Sequence, residues 1–263
     1  MTRLRTDSFL TPARAARLRA GAVVLGPSIL VDVAVVACTA VIVRNWLTRS
    51  RATKLDNPVT RGLFTAAALA PWVYAVTVRP WLVRWGATDD EVRRPLPGDD
   101  LVPEPAAQST RAVTIHAPAA EVWKWLVQIG HGRGGFYSYD WLENLAGIEI
   151  HSADRVDPAW QSLAVGDFVR AAPAQRIPDA GWTVAALEPE RALVLRGWGA
   201  FVLDPIDGDS TRLIARSRMP GRPALLAAVR NAMTWELPHF IMERKMLLGI
   251  KARAERAQRS VER

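Results

Sequence analysis

Between residues 109 and 259 the spacing of apolar residues alternates between two periods, and the element types follow from it. "RAVTIHAP" (111–118) sets Val113 and Ile115 against polar neighbours, the period of a half-buried strand. Pro118 then opens "AAEVWKWLVQIG", where Val122, Leu126 and Ile129 form a helical stripe ended by Gly130. "YSYDWLENLAGI" suggests a second helix. Five short runs with strand character follow: "VGDFVRAA", "GWTVAALE", "RALVLRGW", "GAFVLDPI" and "STRLIARSRM". Turn residues punctuate them, notably at Glu188-Pro189-Glu190 and Asp207-Gly208-Asp209. A long helical pattern from Ala224 to about Arg259, broken at Pro238, closes the chain. The order predicts an α+β domain: strand, helices, an antiparallel series of strands, then one long helix.

The first quarter reads differently. Gly21 to Val43 is a continuous apolar run interrupted only by Asp32, and a helix of this length reaches roughly 35 Å, enough to cross a bilayer. A second run, Gly62 to Val78, holds Pro71 and extends through "RPWLVRW", where Arg79 and Arg84 can snorkel and Trp72, Trp81 and Trp85 can anchor at the interface. The expectation is a transmembrane helical hairpin with spans at about 21–43 and 62–83, inside a membrane region covering residues 1–85. Five basic residues lie between the runs and nine flank them, which places both ends in the cytoplasm. "VVAC" at 35–38 also resembles a lipoprotein cleavage site, but Asp32 and the apolar "TAVIV" beyond Cys38 oppose that reading.

Charge changes the picture little. The net +8 is concentrated up to Arg61, where ten Lys/Arg face three Asp beside the apolar runs. That is membrane patterning rather than a nucleic-acid reading face, and no nucleic-acid partner is expected. The single cysteine excludes an internal disulfide framework and a thiolate zinc site. Residues 86–108 are rich in Pro, Asp and Glu; they read as a semi-rigid linker or as a segment packed across the domain that follows at 109–259.

With "RAVTIHAPAAEVWKWLVQIG" at its start and "PHFIMERKMLLGIKARAE" at its end, the region from about 86 to 258 resembles the SRPBCC superfamily (START-like, polyketide cyclase/dehydrase and lipid transport). The tether "LPGDDLVP" and the loop "GRGGFYSYDWLEN" are similar to those of membrane-attached actinobacterial members. The resemblance implies a helix-grip fold, in which a curved antiparallel sheet wraps the C-terminal helix around a deep apolar cavity. It does not imply one activity.

The stretch "QIGHGRGGFYSYDWLEN" (128–144) holds the densest candidate chemistry. It is not a phosphate loop, because no Lys-Ser/Thr follows its glycines and a helix, not a strand, precedes it. His131, Asp140 and Glu143, with His151 and Asp154 nearby, are acid–base candidates, although Asp140 can instead cap a helix. His239 and Glu243 are four apart and can share a helix face, but without a third ligand of fixed spacing no metal site is implied. A pocket wall fits best. Tyr137 and Tyr139 combine apolar bodies with hydroxyls, Arg133 can meet an acidic head group or Asp140, and Met242 and Met246 offer an adaptable facing surface. The candidate ligand-binding set is Arg133, Tyr137, Tyr139, Asp140, Trp198, His239, Met242 and Met246. No cofactor is expected. The leading functional expectation is a membrane-tethered module that binds or transfers a lipid-like or aromatic molecule, its soluble domain at the cytoplasmic face of the cell membrane. Alternatives are a cyclase/dehydrase-like enzyme, using Tyr139, Asp140 or His239, and an adaptor with a vestigial cavity.

Overall fold

A computed structural model describes Gly62, Thr65, Ala66, Leu69, Ala70 and residues 73–221 and 236–261. The expected span 21–43 lies outside the described residues. Six antiparallel strands form one sheet: β1 (Ala107–Ile115), β2 (Phe168–Arg170), β3 (Gly181–Glu188), β4 (Ala192–Arg196), β5 (Gly199–Pro205) and β6 (Thr211–Met219), in the order β1-β6-β5-β4-β3-β2. A C-terminal helix of 25 residues, Leu237–Val261, packs against the sheet. This α+β arrangement fits a helix-grip.

The helices before it are short. α1 (Arg79–Val83) follows a π-helical turn at Tyr74–Val78, and α2 (Asp89–Arg93) starts at a capping box between Thr88 and Glu91. α3 (Ala119–Val127) and α4 (Asp140–Leu145) lie between β1 and β2, and the C-terminal helix is α5. β1 begins four residues before the alternation at 111 suggests, because Ala107 to Arg111 continue the register against Met219 to Ala215 without needing an apolar face of their own.

Two apolar layers divide the sheet by residue parity. Val113, Ile115, Leu193, Leu195, Phe201, Leu203 and Leu213 face α3 and α5 in the main core, where Trp125, Tyr137, Met246 and Ile250 fill the space between helix and sheet. Ala112, Val194, Ala200, Val202 and Ile214 point outward and pack under Leu96, with Ala87 and Leu101 against them. β4 is therefore buried on both faces, which accounts for its unbroken apolar run.

The outer layer exists because residues 88–102 lie on the sheet as a strap. Arg212, Arg216 and Arg218 alternate along the outer face of β6. Arg212 pairs with Glu91 at 2.7 Å, Arg216 with Asp99 at 2.7 Å, and Arg218 with Asp99 at 3.0 Å. Arg216 also donates to the backbone carbonyls of Glu91, Val92 and Arg94, and its side chain is 2 % exposed. Of the two sequence readings of this segment, packing across the domain is the one seen.

The expected second span, 62–83, is described only in part. Among the described residues no helix is long and apolar enough to cross a membrane. The end of that run belongs to the folded domain instead: Leu82 is 2 % exposed, and Trp85 lies edge-on to Phe240 with the Arg244 guanidinium 4.9 Å over its ring. Arg79 does not reach for headgroups but ion-pairs Glu236 at 3.1 Å. Periodicity could not show this, because a tryptophan docking on a core and one anchoring at an interface have the same sequence signature.

Candidate functional site

Arg111 sits on β1 with the parity of Val113 and Ile115, so its side chain enters the main core. A guanidinium there is tolerable only if every donor region is met. Its Nε donates to the Leu82 carbonyl at 2.8 Å, and one terminal nitrogen donates to Glu243 Oε2 and stands 3.3 Å from His239 Nδ1. Both partners of the Arg111–Glu243 pair are 1 % exposed. His239 and Glu243, one turn apart on α5, approach to 3.6 Å, and the Trp198 indole points its N–H at Glu243 Oε1 from 3.5 Å. A buried carboxylate is thus surrounded by a guanidinium, an imidazole and an indole. Burial holds the His239 imidazole below its ordinary pKa, with Arg111 adding to the shift and Glu243 opposing it, so the neutral ring is favoured.

An aromatic wall continues from Trp198. Its ring lies 4.3 Å from that of Trp182, 5.8 Å from Phe136 and 5.2 Å from Phe201. Trp182 and Trp198 are only half-buried, whereas Phe136 and Phe201 are buried. The charged network therefore lies beside an aromatic cluster, two of whose rings are partly exposed.

The 128–144 loop forms the side wall, and its polar groups are largely used in holding it there. Arg133 donates to the carbonyls of Val127 and Trp160, at 2.9 and 2.6 Å, and burial lowers its pKa. Asp140 accepts from the Ser152 amide and hydroxyl at 2.7 and 2.6 Å. Tyr137 is 1 % exposed, donates its hydroxyl to the Trp125 carbonyl at 3.1 Å, and has a left-handed φ of 55°, an uncommon conformation for an aromatic residue. Burial raises its pKa first of all. Gly249 on α5 lets the helix pass against Tyr137, since a Cβ there would run into the Tyr137 carbonyl oxygen.

Of the sequence candidates, the structure brings Trp198 and His239 into one network. Met242 lies at the edge, half-buried, its carbonyl accepting from Ser138 Oγ at 2.9 Å. Tyr139 lies at the same edge under the Lys245 ammonium, 5.6 Å from its ring. Met246 is core, at 2 % exposure. Arg133, Tyr137 and Asp140 are engaged with the loop itself. Arg111, Trp182 and Phe136 are additional. Glu243, read in the sequence only as a weak metal partner of His239, is the centre of the network. Its signal was there, because it falls on the same helical stripe as Met246, Leu247 and Ile250. Among the described residues no group of three His, Cys, Asp or Glu is placed to hold a metal.

No family model matches the chain, and no curated protein matches it. Among nine matching solved chains is the crystal structure of DynU16, described as a protein in the dynemicin biosynthetic locus. It is 18 % identical over 53 % of this chain and 45 % of its own, with a TM-score of 0.29. The chain thus spans less than half the length of DynU16, and the likeness carries no functional weight.

Proposed function

We propose that this chain is a small-molecule binding or transfer module, attached to a membrane through its N-terminal apolar runs. Its ligand has an aromatic or otherwise flat apolar body and a hydrogen-bonding end. The observation that carries the reading is the half-buried Trp182–Trp198 pair standing over the Arg111–Glu243–His239 network. Apolar walls with a few convergent polar groups are the usual make-up of small-molecule sites. The ligand body would lie against the indoles, and its polar end would meet the imidazole and carboxylate. Membrane attachment would raise the local concentration of a ligand that partitions into lipid.

A second reading, a cyclase-like enzyme, is favoured by one feature: a neutral imidazole beside a buried carboxylate is suited to accept a proton. His239 would then be the base, with Glu243 stabilising the imidazolium formed. Tyr139 and Asp140 are poorer choices, since Asp140 is already bound by Ser152.

Tryptophan fluorescence titrations with oleate and with a polycyclic phenol test the binding reading, with Trp198→Phe as the internal control. Saturable quenching that is weakened in the variant is the expected result. Met242→Trp should add volume at the edge of the aromatic cluster, lowering affinity while changing stability little, because added bulk costs about 1–3 kcal/mol only where packing is already complete. Clear destabilisation with unaltered binding would place Met242 in ordinary core. Mass spectrometry of the incubated ligand separates the readings: an unchanged mass supports binding, and a changed one that needs His239 supports catalysis.

A further inference from the structure

We infer that the domain has a second membrane contact: a flat apolar patch at the N-terminal end of α5 that rests on an anionic bilayer surface. The outward face of α5 is centred on Ile241, with Leu237 one turn before it and Lys245 one turn after. Leu237 and Ile241 are each 41 % exposed. On one flank Trp81 stands edge-on to Phe240 at 5.2 Å and is 55 % exposed. On the other flank Ser138 is bonded to Met242, and Tyr139 under Lys245 leads to Trp141, 6.5 Å away between ring centres and 67 % exposed. Leu145, on the same short helix as Trp141, is 79 % exposed. The large apolar side chains thus run across three elements at one pole, instead of being scattered singly.

Two observations select a bilayer as the occupant. First, the long apolar part of the sequence arrives at this pole. Tyr74 and Arg79, at the end of the second apolar run, both bind Glu236, which immediately precedes α5. Val73 and Val76 in the same turns are also exposed. A chain that enters lipid through residues upstream of 73 must hold this pole near the membrane. Second, the patch has the chemistry of an interface: tryptophans at its margins, with Lys245 exposed beside Tyr139 and Arg244 stacked on Trp85. The +7 excess up to Arg61 adds attraction to anionic lipid.

The test uses the full chain with Cys38→Ser, so that one introduced thiol carries an environment-sensitive fluorophore. Label sites are Trp141→Cys, Ile241→Cys and, in the β5–β6 turn, Asp209→Cys. Each protein is placed in phosphatidylcholine vesicles containing phosphatidylglycerol, with and without phosphatidylcholine brominated high in its acyl chains. Labels at 141 and 241 are expected to show blue-shifted emission and a roughly twofold loss with the brominated lipid, as for groups about 5–10 Å below the headgroup plane. The label at 209 should be unaffected. Two results overturn the proposal: no quenching at 141 and 241, or equal quenching at all three sites. Both substituted patch residues are exposed, so loss of fold is not expected, and two independent sites guard against one local failure. The oleate titration reads the ligand site separately, so either idea can fail while the other stands.

Discussion

A guanidinium and a carboxylate that are both 1 % exposed are not needed for stability as such, since a well-packed apolar pair of the same volume often does as well or better. Removing one partner is different, because the other is left charged in the core. Arg111→Met should cost about 3–5 kcal/mol, whereas the double change Arg111→Met with Glu243→Met should recover most of that loss in thermal unfolding. If the network serves a ligand, the double variant will fold and yet fail to quench in the oleate titration. Glu143 offers a pH test. Burial, with Asp140 adding, pushes its carboxyl from 4.5 up to about 7, and its Oε2 is buried with no hydrogen-bond partner among the described residues. Between those two values the folded chain holds a proton that the unfolded chain releases, so stability falls as pH rises through the window. Glu143→Gln should flatten that fall and stabilise the protein at pH 8 by about 1 kcal/mol, the full effect being screened because the side chain is partly open to water. At this scale the sequence was least legible. Arg111 is one arginine on a half-polar strand; only its parity with Val113 and Ile115 hinted that it points inward, and nothing local named Glu243 as its partner.

Elements were far more legible, because each carries its own period. The five strand-like runs after residue 160 all appear as strands, and α3 and α4 lie where their stripes put them. What periodicity missed are features imposed by neighbours: the early start of β1, set by its register with β6, and the last turn of the second apolar run, set by docking on α5. The contact between α5 and the 128–144 loop is another such feature. Gly249 passes close against the Tyr137 main chain, and Gly249→Ala sets two effects against each other. Helix propensity favours alanine by about 1 kcal/mol. A methyl group driven into the Tyr137 backbone costs about 1–3 kcal/mol, and it cannot be relieved by a rotamer change because the obstacle is main chain. The second effect should win, lowering Tm by several degrees and loosening the loop that holds Phe136 against Trp198. Calorimetry gives the sign directly; a higher Tm would mean that the helix and the loop are not in contact.

For the whole molecule, the question is where the folded unit starts. On sequence alone a chain beginning near residue 100 appears sufficient, since it would contain the full sheet and its gripping helix. The strap moves that boundary. Cutting at 103 strips Leu96 and Leu101 from the outer apolar layer and removes Glu91 and Asp99, the acids that pair with Arg212, Arg216 and Arg218. It also removes the Leu82 carbonyl that accepts from Arg111 inside the core. Arg216 would lose its carboxylate and three carbonyl partners along with the segment that covers it, and the outer apolar layer would be laid open to water, a combined loss of several kcal/mol against a total of only about 5–15 kcal/mol for a typical domain. A chain beginning at residue 79 keeps all of these contacts. It should unfold in one cooperative transition with a full near-ultraviolet signal. The chain beginning at 103 should keep much of its far-ultraviolet signal, lose the near-ultraviolet one and bind an apolar dye, as loosely packed states do. Equal melting temperatures for the two would show that the strap is a passenger on the sheet, leaving the tether free to swing.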